Sequence, residues 1–187
     1  MFFIFSAIYT FSYNMMEDLF KKKIIALLAT AFALTSFTFA EGYISANDLE
    51  KGVFSEEKHE EDGFVLYATP EKPMEVKKHD ANTVGDETFT QVISTKGSGS
   101  SKKMERIITF PVKAGETIKI ACQNSGKTGS RPLHVVNAET HEEIKTISAI
   151  SYTEGVTTDS VKVSADGTYG VYSTSGGIYI FKIEVVK

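Results

Sequence analysis

Two tyrosines, Tyr172 and Tyr179, flank the turn-like segment Ser173-Thr174-Ser175-Gly176-Gly177-Ile178, and five cations, Lys102, Lys103, Arg106, Lys127 and Arg131, lie in or beside other turn-like stretches. An aromatic ring offers an apolar face for a flat ligand, and a guanidinium or ammonium pairs with carboxylates. Recognition of a sugar polymer, above all a uronate-bearing one, needs such groups. Tyr172, Tyr179, Arg106, Lys127 and Arg131 are therefore the candidate ligand-binding residues. Each also has a plainer reading. The tyrosines can be strand-packing residues and the cations solvated surface, and Arg106, which opens a strand, can simply pair with a neighbouring acid.

Other chemistries find fewer parts. His59, His79, His134 and His141 are scattered, with no pair at metal-ligand spacing and no serine or cysteine motif to serve. No paired carboxylates and no nucleophile with its base can be nominated, so no catalytic residue, metal or cofactor is expected and the chain reads as a non-enzyme. The acidic run Glu56-Glu57-Lys58-His59-Glu60-Glu61-Asp62 lacks the alternating ligands and internal glycine of a calcium loop and reads as a solvated linker. Gly97–Ser101 and Asn124–Ser130 have neither phosphate-loop nor dinucleotide spacing and read as hairpin loops. The single cysteine, Cys122, excludes an internal disulfide and a four-cysteine zinc site.

Composition bounds the rest. The chain has 187 residues, 20 Lys+Arg against 24 Asp+Glu and 42% hydrophobic residues. That is enough apolar content for a core, which argues against global disorder, and the acidic excess leaves no electrostatic footprint for nucleic acid. At the amino end, Lys21-Lys22-Lys23 precede an apolar run from Ile24 that continues to Ala40, with Thr38 and Ala40 as the small residues of a cleavage site. This is the layout of a signal peptide; a membrane anchor is the other reading, but the run is interrupted by four Thr/Ser and is short for a span of about 20 residues. Cleavage near Glu41 predicts an exported protein, periplasmic or extracellular, with no membrane insertion afterwards. Cys122 is too far downstream for a lipoprotein signal, and the aromatic stretch Met1–Met16 is consistent with a true start at Met15 or Met16. The leader takes three of the basic residues and two of the acids, leaving 17 against 22 over residues 41–187.

The remaining chain divides into an acidic arm over 41–62 and a strand-rich region over 63–187. In the arm, Ser45–Asp48 fits a weak capping box ahead of Leu49 and Val53, which predicts a short helix or a loosely ordered segment. Beyond it, ten short runs separated by turn residues read as strands: 64–68, 74–78, 89–94, 106–112, 117–123, 133–137, 143–147, 160–164, 168–173 and 178–186. Ile118, Ile120 and Cys122 alternate with Lys119, Ala121 and Gln123, so Cys122 reads as a buried apolar residue. In the last run Tyr179, Phe181, Ile183 and Val185 fall on one side, Lys182 and Glu184 on the other. Lys113-Ala114-Gly115-Glu116 and Ala165-Asp166-Gly167-Thr168 read as turns in which glycine supplies positive φ. The pattern predicts an all-β, antiparallel, jelly-roll-like sandwich.

The turn and strand pairs Val112–Ile118 and Ser164–Tyr169, with the ending Ile183-Glu184-Val185, are similar to accessory β-sandwich domains of secreted bacterial enzymes, including the pre-peptidase carboxy-terminal type. The ordered set Asp62–Ala68, Phe89-Thr90-Gln91, Gly97–Ser100, Arg106–Phe110 and Tyr172–Ile180 resembles the carbohydrate-binding-type modules attached to bacterial pectate lyases and other polysaccharide-degrading enzymes. Lys182 departs from the aromatic residue expected at its place. The resemblance spans about residues 62–187 and implies a jelly-roll-like, non-catalytic module whose partner is an extracellular or envelope polysaccharide. The competing expectation is a structural protein of the envelope that binds a protein partner, for instance through a free strand edge.

Overall fold

Alternation of apolar and polar residues sets the local structure: in the run Thr117–Asn124 the side chains of Ile118, Ile120 and Cys122 enter one buried cluster while Ala121 enters another on the opposite face. The computed structural model describes residues 42–187; the leader over 1–40 and its cleavage site lie outside the described residues. Thirteen strands follow in order: β1 Gly42–Ser45, β2 Gly52–Phe54, β3 His59–Glu61, β4 Phe64–Tyr67, β5 Met74–Val84, β6 Glu87–Ser94, β7 Ile107–Val112, β8 Thr117–Asn124, β9 Arg131–Asn137, β10 Glu143–Ala149, β11 Thr157–Lys162, β12 Gly167–Tyr172 and β13 Ile178–Val186. They make a seven-stranded sheet, ordered β11-β8-β13-β6-β5-β2 with β1 also against β13, and a six-stranded sheet, ordered β10-β9-β12-β7-β4-β3. The strand pairs are antiparallel.

From β6 onward the chain crosses between the sheets at nearly every connection, the jelly-roll-like sandwich that the strand spacing predicts. Inner-face residues of both sheets, among them Leu66, Ile108, Phe110, Leu133 and Val171 from one and Met74, Ile93, Ile120, Ile180 and Ile183 from the other, form one buried cluster. Cys122 lies in it with its thiol pushed up to about 12, chiefly by burial, and is a packing residue.

The segment expected as a helix or loose arm contributes strands to both sheets. Ser45 does not cap a helix: Asp48 N donates to Ser45 O at 3.1 Å, closing a turn, and Ser45 Oγ accepts from Asn47 N at 3.4 Å. β1 is held by its ladder to β13, and Ile44, Ala46 and Leu49 are buried in the core. The acidic run forms edge strand β3, which turns into β4 through Asp62 (φ 46°) and Gly63 (φ 83°), a primed hairpin. Charge suits it there, because an edge strand shows one side of its ladder to water.

Two of the predicted turns differ in detail. Gly115 has φ 89° and closes its turn with Glu116 N donating to Lys113 O at 3.0 Å, whereas Gly167 opens β12 without positive φ. The loops at Gly97–Ser101 and Asn124–Ser130 are not hairpin loops; they carry the chain from one sheet to the other.

The largest departure is in β13. Ile180 pairs with Cys122 and Lys182 with Ala121, so Phe181 is an extra residue, a bulge, and the alternation reverses across it. Ile178, Ile180, Ile183 and Val185 point into the core, while Tyr179 and Phe181 share the outer face. There Phe181 packs with Phe89 (ring centroids 5.5 Å apart), Val92 and Ala121, and Val84, Val156 and Tyr179 close over them. The outer face of the larger sheet thus carries its own apolar seam.

Candidate functional site

At one end of this seam the surface opens into a cleft of about 560 Å³ lined by Lys77, Lys78, His79, Asp80, Ser125, Tyr152 and Tyr179. Three elements build it. β5 supplies Lys77 from its outer face and breaks register between Lys78 and Asn82, which lifts His79 and Asp80 out of the ladder. β13 supplies Tyr179, placed outward by the alternation that precedes the bulge. The loops after β8 and β10 supply Ser125 and Tyr152.

The His79 ring meets Tyr179 edge-on at 5.1 Å, Phe181 at 5.8 Å and Tyr152 at 6.5 Å. Lys77 Nζ lies 4.8 Å from the Tyr179 ring centroid and donates to the Tyr179 hydroxyl at 3.2 Å. His79 Nδ1 lies 2.9 Å from Asp80 O and 3.2 Å from Asn82 Nδ2, and its Nε2 lies 3.1 Å from Gln123 Nε2, so both ring nitrogens are engaged. That leaves Gln123 Oε1, on a fully buried side chain, without a partner. An orphaned buried acceptor costs about 1–3 kcal/mol.

The loops are braced from behind. Asn124, buried, donates to Gly129 O at 3.1 Å and accepts from Gly126 N at 2.7 Å, shaping the loop that carries Ser125. Tyr152 N donates to Asn124 O at 3.1 Å and Ser151 Oγ to Gly126 O at 3.1 Å, so the two loops are tied together.

The five residues expected to bind ligand separate. Tyr179 lines the cleft. Arg131 stands behind it, its Nη1 donating to Ser125 Oγ at 3.0 Å and to Gly177 O at 2.9 Å, so its guanidinium clamps two loops. Lys127 is exposed on the Ser125 loop, its carbonyl accepting from Thr153 Oγ1 at 3.0 Å. Arg106 is spent on backbone: Nε donates to Pro73 O at 3.2 Å and Nη1 to Ser98 O at 3.3 Å, with desolvation drawing the guanidinium below its usual range. Tyr172 is on the other sheet and faces outward beside His134, ring centroids 5.4 Å apart. The two tyrosines therefore lie on opposite faces of the sandwich and cannot flank one ligand, although six residues separate them in sequence.

Lys77, His79, Tyr152 and Ser125 were not legible as site residues in the sequence. Their only trace was an aromatic in the turn-like Ser151-Tyr152-Thr153 and a lysine at an outward-alternating position of β5. The bulges that bring them together leave no simple pattern.

No protein-family model and no curated protein matches the sequence. Among solved structures the chain is similar to a family 35 carbohydrate binding module from Clostridium thermocellum, at 12% identity and TM-score 0.42 over 79% of this chain and 98% of that one. It is also similar to CBM35 from Cellvibrio japonicus Abf62, at 14% identity and TM-score 0.42 over 79% and 94%. A third is the carbohydrate binding module CBM6cm-2 from Cellvibrio mixtus lichenase 5A in complex with cellotriose, at 15% identity and TM-score 0.36 over 78% and 96%.

Proposed function

We propose that this protein is an exported, non-catalytic module that binds extracellular or envelope polysaccharide in the Tyr179 cleft, with a preference for acidic chains. The observation that carries the reading is the cleft itself: a half-buried tyrosine in its lining with an ammonium over the ring, a second aromatic, Tyr152, beside it, and hydroxyl, carboxylate and imidazole groups around them. Such a mixture of apolar face and oriented polar groups suits a polyhydroxylated ring. Lys77 and Lys78 outnumber Asp80 at the rim, which supports the acidic preference on different cations from those the sequence singled out.

A protein partner is supported less. Among the described residues only Tyr43 and Val53 are large exposed hydrophobics. Edge strands β2 and β3 are three residues long, and at the β11 edge Lys145 of β10 donates to Ser160 O at 2.9 Å. Short or lysine-covered edges discourage strand addition.

The test is electrophoretic retardation of the full chain in native gels containing pectin or a neutral glucan, at low and moderate salt, beside Tyr179→Ala. Retardation by pectin that weakens with salt and is lost in Tyr179→Ala is the expected result. Equal retardation of wild type and Tyr179→Ala would remove the cleft from the reading, and no retardation by either polymer would remove the reading itself.

A further inference from the structure

The apolar seam does not end at the Tyr179 cleft. Past Phe181 it reaches a second groove of about 370 Å³ on the same outer face, floored by Phe89, Ala121 and Val84. The groove's wall from β11 presents the exposed hydroxyls of Thr158 and Ser160. Its charged groups all have partners. Lys182 Nζ lies 3.2 Å from Glu87 and 3.8 Å from Glu184, Lys119 lies 3.9 Å from Glu184, and Asp159 is held by Lys145 at 2.7 Å. No cation there is left to seek a carboxylate, and three acids line the groove against two lysines. Tyr179 and Lys182, which mark the two openings, pair with Gln123 and Ala121, two residues apart on β8, a separation of roughly 7 Å at the rise of a strand.

An apolar floor, free hydroxyls and internally paired charges favour an uncharged polar ring and disfavour an anion. We infer that this groove takes a neutral sugar unit of the same polysaccharide chain whose acidic unit sits at Tyr179, making the outer face of the larger sheet a two-subsite surface. The inference rests on the proposed function, and it narrows the ligand to a chain that mixes charged and uncharged units. Glu87 and Glu184 receive no catalytic role here, since both are paired with Lys182, which stands between them.

The experiment measures affinity of the full chain for homogalacturonan oligomers, fully acidic or partly methyl-esterified, from the disaccharide upward. Wild type is expected to gain affinity with length only on the esterified series. Thr158→Trp, at an exposed strand position whose larger side chain fills the groove, is expected to lower affinity for long esterified oligomers roughly tenfold (about 1.4 kcal/mol) while leaving the disaccharide unaffected. Unchanged binding of long oligomers by Thr158→Trp, or equal gains with length on both series, would overturn the inference. The backbone amide resonances of Ala121 and Ser160 in the wild-type protein decide the matter should Thr158→Trp fold poorly: shifts with long esterified oligomers alone support the groove, and no shift with any length refutes it. Loss of all binding in Tyr179→Ala together with length-independent affinity in wild type would sink the second subsite alone. Failure of wild type to bind any oligomer would sink the proposed function with it.

Discussion

Replacing Arg131 with methionine separates two roles that a cation beside a binding cleft can have. If Arg131 met an acidic ligand directly, its loss would weaken binding in a salt-dependent way and leave the fold alone. The geometry predicts the opposite. Its Nη1 holds Ser125 Oγ at 3.0 Å and Gly177 O at 2.9 Å, and a Cβ on Gly176 would meet the guanidinium carbon at 2.9 Å, so the side chain is packed into the loops. A hydrogen bond to a charged group contributes about 1.5–3 kcal/mol. Gly177 O keeps two other donors, Ser125 N at 3.2 Å and Ser125 Oγ at 2.8 Å, so it is not orphaned and the low end applies. The net loss is then about 2 kcal/mol, which for a domain of this size lowers the melting temperature by roughly 4–8 °C. Thermal unfolding by circular dichroism, with Lys127→Ala as the control on the same loop, is the assay. Lys127 is exposed, and its replacement is expected to leave the transition within about 0.5 kcal/mol of wild type. Arg131→Met with an unchanged melting temperature but a lost salt-sensitive pectin retardation would refute the clamp and restore a direct ligand contact.

Cys122, with its thiol raised to about 12 by burial, is expected to resist iodoacetamide at pH 8 in the native protein and to react fully in guanidinium, as read by mass spectrometry; rapid native labelling would contradict its place in the core. Gly170→Ala is expected to destabilise by about 1–3 kcal/mol, because its Cβ would lie 2.7 Å from Ile107 Cδ1; a denaturation midpoint equal to wild type would show that β7 and β12 have slack there. The bond from Lys145, opposed by some desolvation, holds the Asp159 carboxyl below its ordinary value of 3.8, so its stabilisation is present above that pH and lost as pH falls through the lower native value. Asp159 is more than a third exposed, so the effect is small; Lys145→Met should flatten the acid-side fall in melting temperature slightly, and an unaltered slope would mean that the pair is fully screened.

The sandwich was legible because strands buried on one face must alternate. Every one of the ten runs read from 64 onward corresponds to a strand, with ends displaced most at β5, which runs to Val84, and at β11, which begins at Thr157. Residues 42–61 were not legible as strands. Three- and four-residue segments have too few positions to show a period, and their pairing with β13, β5 and β4 is a property of the partners. Of the proposed site, only Tyr179 was found.

Residue types along the chain were sufficient to determine an all-β architecture, the buried character of Cys122 and the turn at Gly115, since each follows from local side-chain alternation or from the φ that a turn demands. Which face a residue joins after an irregularity is not local. The bulge at Phe181 reverses the facing of everything beyond it, the register break after Lys78 lifts His79 toward Tyr179, and the crossing from β12 to β13 sends Tyr172 and Tyr179 to opposite sides. Each depends on the register of a strand distant in sequence, and so the tertiary structure alone decided which groups share a cleft.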